Sequence, residues 1–230
     1  DVYTGGDAAR GGSTAIRAAG DGQAAAREIV GDIPFGAAEI RERVGKAARY
    51  TELGQASPTI VAKTELAGGI VEFTVRAPLV ARAARPGQFV RVLAWGDGEL
   101  IPLTLADWDA DQGTIDLVIQ GVGTSSILMN RMAIGDSFAG IAGPLGRPSE
   151  IHSYAADETV VFTAGGVGLP PVYPIMREHL RRGNHVTLIS GFRSKDFLFW
   201  TGADERVGRL QSEFGGQLDV VYATNDGSFG

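Results

Sequence analysis

The stretch from Thr159 to Gly168 constrains the fold of this chain more than any other. It reads Thr-Val-Val-Phe-Thr-Ala-Gly-Gly-Val-Gly, a β-branched run that changes into glycines just before a helix-like segment. This order predicts a strand, a turn and a helix that binds a nucleotide phosphate. Glycine has no Cβ, so the backbone can turn sharply and a phosphate can approach the amides at the helix start. The residues predicted to bind the dinucleotide are Gly165, Gly166, Val167 and Gly168.

The following residues extend this motif into a strand-helix-strand unit. Pro170 and Pro171 fall where a helix begins and needs no N–H donor, and Gly183 falls where it would end. The apolar, β-branched run 186–191 predicts a second strand, parallel to the first and joined to it by a right-handed crossover. A third such run, 218–223, lies close to the last residue. We therefore expect a parallel-sheet nucleotide-binding domain over 153–230 that is incomplete, within a segment of a longer polypeptide.

Six short apolar runs precede this unit and are separated by turn signals such as Gly68-Gly69 and Pro86-Gly87. They cover residues 59–62, 70–75, 89–93, 100–105, 115–119 and 138–142. This pattern favours antiparallel hairpins and predicts a six-stranded antiparallel barrel over 58–152. Residues 1–34 are rich in Ala and Gly and predict a tightly packed helix, and 35–57 read as a linker of mixed charge. The predicted fold is thus mixed β and α/β.

Composition excludes several classes of function. The net charge is −6 and the 21 Lys and Arg are scattered, which argues against a nucleic-acid partner. No apolar stretch is long enough for a membrane span, and no secretory signal opens the chain, so a cytoplasmic location is expected. The absence of cysteine excludes disulfides and thiolate-bound metal within these residues, and the three histidines lack metal-ligand spacing.

Five motifs in order resemble the ferredoxin-NADP reductase superfamily, and no single one of them would suffice. The nearest branch is that of the dihydroorotate dehydrogenase electron-transfer subunit and the small subunit of NADH-dependent ferredoxin:NADP oxidoreductase. The resemblance covers residues 58–230, and its motifs are 86–90, 101–104, 121–124, 143–146 and 164–168. In that branch the barrel binds FAD, and the second domain brings the nicotinamide of NAD or NADP to the flavin.

The resemblance implies a set of FAD-binding residues. Ile101, Pro102, Leu103 and Thr104 would line the flavin and ribityl chain, with the Thr104 hydroxyl as a hydrogen-bond donor. Val118, Ile119 and Gln120 would lie against the cofactor, and Gly123, Thr124 and Ser125 would open a short helix facing the pyrophosphate. One position departs from the wider superfamily, where an Arg often precedes the Ser or Thr by three residues and Ile101 stands here. Arg91 and Arg131 are candidates to replace its charge.

A second resemblance covers residues 1–30, which are similar to the carboxyl end of the glutamate synthase small-subunit family. It implies that Asp7 holds a ribityl hydroxyl of FAD, although a Gly-Asp pair is also a common turn. The reductase branch further implies a [2Fe-2S] centre in the longer protein, beyond residue 230. The implied partners are NAD(P)H and a redox protein or domain, either a ferredoxin or a second flavoprotein.

Several alternatives stay open. The glycine turn could be a packing turn without a ligand. Arg193 and Lys195 follow the second strand and could bind the 2′-phosphate of NADP or be plain solvated charges. The three tryptophans are expected to serve packing. The main interpretation is a flavin-dependent NAD(P)H oxidoreductase that passes electrons onward. The others are a docking subunit that has lost FAD and an NADPH-linked electron donor to a glutamate synthase-like amidotransferase.

Overall fold

The computed structural model describes residues 57–96 and 98–229, which lie in one compact unit, Gly54–Gly230. The helix predicted within residues 1–34, almost all of the predicted linker 35–57 and the predicted FAD ligand Asp7 lie outside the described residues.

Seven strands in two antiparallel sheets form the first half of the described chain. They are β1 Ile60–Ala67, β2 Ile70–Arg76, β3 Phe89–Leu93, β4 Leu100–Thr104, β5 Asp107–Asp109, β6 Thr114–Gln120 and β7 Gly140–Leu145. One sheet has the order β1-β2-β6-β5 and the other β4-β3-β7. The antiparallel prediction is confirmed, whereas the six-stranded barrel is not. The three-residue β5 is an additional strand, and the residues divide between two sheets.

Alternation of side chains along β2 and β6 builds the first core. Phe73, Ile115 and Leu117 are fully buried, while the residues between them face the other side of the sheet. Phe138 packs edge-on against Phe73 with 6.4 Å between ring centroids. Two short helices, α1 Pro78–Ala83 and α2 Thr124–Met129, add Val80 and Met129 to this core.

A parallel sheet forms the second half of the described chain. Its elements are β8 Thr159–Gly165, α3 Leu169–Arg181, β9 His185–Phe192, α4 Arg206–Phe214 and β10 Leu218–Thr224. The strand order is β10-β9-β8, and both pairs of neighbours are parallel. The strand-turn-helix-strand unit predicted from the sequence is confirmed. No helix among the described residues is both long and apolar enough to cross a membrane.

Helix α3 begins and ends where the sequence predicts. Pro170 and Pro171 occupy its first turn, where no intrahelical N–H donor is required. Gly183 follows the helix with φ of +84°, a conformation that glycine adopts without strain. Asn184 comes next and is 3% exposed, so the sequence returns to the sheet through a buried polar residue.

The two halves share a second core. Ile70 and Ala106 from the antiparallel half are buried with Leu169, Tyr173 and other apolar residues of the nucleotide half. The face of β2 and β6 that points away from the first core thus packs against α3. This contact brings the carboxyl end of β6 to the start of α3, where the glycine turn lies.

Candidate cofactor and nucleotide site

The glycine turn joins β8 to α3. Gly165 ends the strand in an extended conformation, and Gly166–Gly168 form a 3-10 turn in which Gly166 has φ of +49°. A Cβ built at Gly165, Gly166 or Gly168 would meet no heavy atom within 4 Å. Protein packing therefore does not require glycine at these positions. The open space beside them is what a phosphate needs for close approach to the amide groups at a helix start.

A cleft of about 180 Å³ lies at this turn and joins the two halves of the described chain. Its lining residues are Ile70, Gln120, Gly165, Gly166, Val167, Phe192, Arg193 and Phe197. Five of the sequence-predicted residues are thereby brought together: Gln120, Gly165, Gly166, Val167 and Arg193. The apolar walls supplied by Ile70, Phe192 and Phe197 were not predicted. Of these three residues, only Phe197 could have been suspected from the sequence, because it follows the predicted ligand Arg193 by four residues.

Arg193 stacks on an aromatic ring at the rim of the cleft. Its guanidinium carbon lies 4.1 Å from the centre of the Phe197 ring, within the range of a cation–π contact. Phe197 belongs to the short 3-10 helix Lys195–Phe197 that follows β9. The contact orients an exposed cation beside the glycine turn, where an anionic ligand would be attracted.

Strand β4 carries the four predicted flavin-lining residues. Ile101 and Leu103 are half-buried and pack against the first core, whereas Pro102 is exposed on the other face of the strand. Thr104 pairs with Phe89 at the end of β4. Position 101, where Arg often stands in the wider superfamily, is therefore occupied by an uncharged side chain that packs on the first core.

Strand β6 presents its three predicted residues differently. Val118 packs against the second core, and the side chain of Ile119 is 2% exposed in the first core. The Ile119 carbonyl accepts a hydrogen bond of 3.2 Å from the side-chain amide of Asn130. Gln120 is the residue of the three with an exposed side chain, Val118 is half-buried and Ile119 is buried, so Gln120 offers the most accessible side chain to a ligand.

The edges of β4 and β6 leave an open seam. Strand β4 is paired only with β3, and β5 covers β6 only from Thr114 to Asp116, so residues 117–120 lack a strand partner on that edge among the described residues. Backbone N–H and C=O groups on such an edge require partners. The polar edge of a planar cofactor is one group that can supply them.

The turn into α2 contains Gly123, Thr124 and Ser125. The Ser126 hydroxyl accepts hydrogen bonds from the N–H groups of Val122, at 3.1 Å, and Gly123, at 3.0 Å. The Ser125 hydroxyl donates to the Glu99 carboxylate at 3.2 Å. A phosphate at this turn would therefore have to displace Ser126 from Gly123, and it would meet the negative charge of Glu99.

A cluster of charges that the sequence does not predict lies between the two halves. Arg206, the first residue of α4, donates to Glu72 on β2, to Asp107 on β5 at 2.6 Å and to Asp116 on β6 at 2.6 Å. Arg177 of α3 also binds Asp107, at 2.7 Å. All five side chains are less than one fifth exposed. We call these five residues the arginine-carboxylate cluster.

Aromatic residues enclose the cluster. The Trp200 indole donates to Glu72 at 3.1 Å, and the Arg206 guanidinium lies 4.9 Å from the Trp200 ring and 5.7 Å from that of Tyr173. Burial lowers the pKa of Arg206, but the neighbouring carboxylates, Glu72 first, outweigh it and raise that pKa above its usual value. Arg206 therefore stays charged. The expectation that Trp200 serves packing is confirmed, since it is 3% exposed.

Comparison with known proteins places the chain in a functional context. No protein-family model matches it. A dihydroorotate dehydrogenase B (NAD(+)) electron transfer subunit homolog of Thermotoga maritima is 36% identical over 177 residues, which are 77% of this chain and 58% of that protein. The corresponding electron transfer subunit of Enterococcus faecalis is 30% identical, over 75% of this chain and 62% of that protein. The chain is homologous to dihydroorotate dehydrogenase electron-transfer subunits.

Solved structures agree with this result. The NADH-dependent reduced ferredoxin-NADP oxidoreductase matches 77% of this chain and 59% of its own, with 35% identity and a TM-score of 0.66. A ferredoxin-NADP+ reductase of Plasmodium falciparum, at 12% identity and a TM-score of 0.59, shares the fold. The resemblance to the ferredoxin-NADP reductase superfamily is thus confirmed. The chain spans 56–62% of the length of the first curated relatives.

Proposed function

We propose that this chain is a flavin-dependent NAD(P)H oxidoreductase of the electron-transfer-subunit type. It would bind FAD along the seam between β4 and β6 and take a nicotinamide dinucleotide at the glycine turn. The observation that carries the proposal is the cleft in which Gly165, Gly166 and Val167 face Gln120 at the end of β6. Nucleotide turn and proposed flavin strand then border one space, as a hydride transfer between two rings requires.

The described residues fit a dinucleotide phosphate at the glycine turn and the flavin ring along the seam, whereas the turn into α2 would meet the FAD pyrophosphate with the negative charge of Glu99. The turn leaves room beside Gly165, Gly166 and Gly168 that a Cβ would occupy. The seam offers backbone donors and acceptors without strand partners among the described residues, and apolar side chains border it. Bound FAD would supply the chemistry, because a flavin accepts a hydride and releases electrons singly. We infer that the electrons leave to an iron-sulfur or flavin partner. The [2Fe-2S] centre beyond residue 230 and the cytoplasmic location remain predictions.

The chain's own residues would bind and orient the dinucleotide and the flavin. The start of α3 favours the negative charge of a dinucleotide phosphate through its amide groups and its helix dipole. Arg193, held on Phe197, adds a cation at the rim. Gln120 would offer its side-chain amide to a polar ring edge, while Ile70 and Phe192, which also line the cleft, would exclude water from it once the ligands are bound.

NADH is the donor we expect. The relatives carry NAD(+) or NADH in their names, and the chain shares 35–36% identity with two of them. Arg193 and Lys195 are both exposed, however, and the pair would suit a 2′-phosphate. Both coenzymes therefore belong in the test.

A docking subunit without FAD is the second candidate. Two observations favour it: Ile101 stands where an arginine would neutralise phosphate, and the Glu99 carboxylate is hydrogen-bonded to Ser125 beside the proposed pyrophosphate turn. If FAD binds here, Glu99→Gln should strengthen its retention, because the substitution removes a repulsive charge. If FAD does not bind, the substitution changes nothing.

An anaerobic visible spectrum tests the two candidates. The purified chain is loaded with FAD, desalted, and titrated with NADH and with NADPH. Retained flavin that bleaches with one nucleotide supports the oxidoreductase and identifies its coenzyme. A folded sample that retains no flavin supports the docking subunit. Gln120→Ala should slow bleaching, and Gln211→Ala, an exposed glutamine on α4, serves as the matched control.

A further inference from the structure

The arginine-carboxylate cluster joins two elements that also border the cleft. Asp116 and Gln120 lie on the same face of β6, four residues apart, which corresponds to about 13 Å along a strand. On α3, Tyr173 and Arg177 follow the glycine turn by one and two helical turns. Strand β6 and helix α3 therefore each contribute one residue to the cluster and border the cleft at one end.

The bonds of Arg206 restrict how the two halves are oriented, which a surface ion pair would not do. Arg206 alone reaches three strands of the antiparallel half, through Glu72, Asp107 and Asp116. A planar guanidinium with several donors fixes the direction of each bond, which a lysine ammonium does not. Stacking against Tyr173 and Trp200 further restricts the rotation of the Arg206 side chain.

Buried charges of this kind fix geometry more reliably than they add stability. Replacing a buried ion pair by apolar residues is often neutral, because the desolvation of the ions offsets their attraction. Apolar contacts are not directional, so the second core alone would permit several slightly different orientations of one half relative to the other. Directional bonds to three carboxylates select one of them.

We propose that Arg206 is a positioning residue, which sets the orientation of the nucleotide turn relative to β6 and thereby the rate of hydride transfer in the cleft. The proposal rests on the proposed function for its kinetic consequence but not for its structural one. It assigns Arg206 no contact with cofactor or substrate.

The test compares Arg206→Lys with Arg209→Lys. Arg209 lies one turn further along α4, is exposed, and donates to the Asp204 carbonyl at 2.7 Å, with no ion pair to a described residue. We expect Arg206→Lys to retain FAD and to lower the rate constant of flavin reduction at saturating nucleotide by about 10- to 100-fold. The half-saturating nucleotide concentration should stay unchanged. Arg209→Lys should match the wild type.

A distance measurement reads the orientation without any activity. The chain has no cysteine, so Asp111→Cys and Asp219→Cys, at exposed positions in the two halves, place spin labels uniquely. Arg206→Lys should broaden the distribution of distances between the labels, and Arg209→Lys should not. Equal distributions in the two variants overturn the proposal. If the wild type binds FAD but neither nucleotide bleaches it, the proposed function fails and the distance distribution alone decides the role of Arg206.

A triple variant separates positioning from stability. If Arg206→Lys does not fold, Arg206→Met is combined with Glu72→Gln and Asp116→Asn, which leaves Asp107 paired with Arg177. This variant removes the uncompensated charges and also the directional bonds. We expect a stable protein with a broadened distance distribution and slow flavin reduction. Wild-type distances and rate in this variant would refute the positioning role.

Discussion

Gly165→Ala separates a glycine needed by a ligand from one needed by the fold. Gly165 has φ of −124° and ψ of 119°, a conformation that alanine adopts readily, and the added Cβ would meet no protein atom within 4 Å. The folded protein should therefore tolerate the methyl group. Relative to glycine in a strand, alanine should even raise the free energy of unfolding by roughly 0.5–1 kcal/mol.

The same methyl group would project into the space beside the cleft. If it prevents one backbone hydrogen bond to a charged phosphate, the loss is about 1.5–3 kcal/mol. This corresponds to a dissociation constant for the preferred nucleotide that is roughly 10- to 150-fold higher. The prediction is thus a protein of unchanged or greater stability with much weaker nucleotide binding.

Two measurements check this prediction on the same samples. Urea unfolding gives the stability, and isothermal titration with NADH and NADPH gives the affinity. Gly216→Ala is the matched control, because its Cβ also meets no atom within 4 Å and it lies away from the cleft after α4. Unchanged affinity in Gly165→Ala would refute the assignment of the turn to a phosphate. A loss of stability would show that its glycine serves packing.

Three further predictions concern stability. Asn184→Ala should lower the free energy of unfolding by about 2–4 kcal/mol, because the buried Asn184 side chain accepts from Tyr154 N–H at 2.9 Å, donates to His152 C=O at 2.7 Å and bonds His179 Nδ1 at 3.0 Å. Urea unfolding measures this loss, and Asn225→Ala, at an exposed position, is the control that should be nearly neutral. Burial first, then Arg182 and His152, lower the pKa of His179 below 6.5, so the folded state disfavours its protonation. Stability should therefore be complete above about pH 6.5 and fall below it, and His179→Gln should flatten that slope in urea titrations between pH 7.5 and 5.5. Gly208→Ala should destabilise strongly, because its Cβ would collide with the Gly202 carbonyl, and a melting temperature equal to the wild type would contradict this.

The sequence predicts the elements whose signals are local. The β-branched run before Gly165, the prolines at the start of α3 and Gly183 at its end are each read within a few residues, and the structure places a strand, a helix and a turn there. Strand β5 lacks such a signal. Its three residues, Asp107–Asp109, are too few to show alternation, so one strand is added to the predicted six.

The arginine-carboxylate cluster could not be predicted in the same way. Glu72 and Arg206 are 134 residues apart, and no periodic pattern connects them. A partial signal exists, since Glu72 and Asp116 each interrupt an apolar run at a position that faces away from the first core. That signal indicates a charged partner on the outer face, but only the packing of α3 and α4 on this face identifies the arginine.

The burial of Arg206 has a consequence for experiments at different ionic strengths. At about 0.15 M salt, charges on the surface are screened beyond roughly 8 Å, whereas enclosed pairs are screened much less. Arg206 and its carboxylates are less than one fifth exposed, so added salt should leave the alignment of the two halves intact. A redox partner that docks through surface charges would bind more weakly under the same conditions. Under the proposed function, added salt would then slow electron transfer to the partner while reduction of the flavin by the nucleotide continues, so a salt titration would separate the two steps.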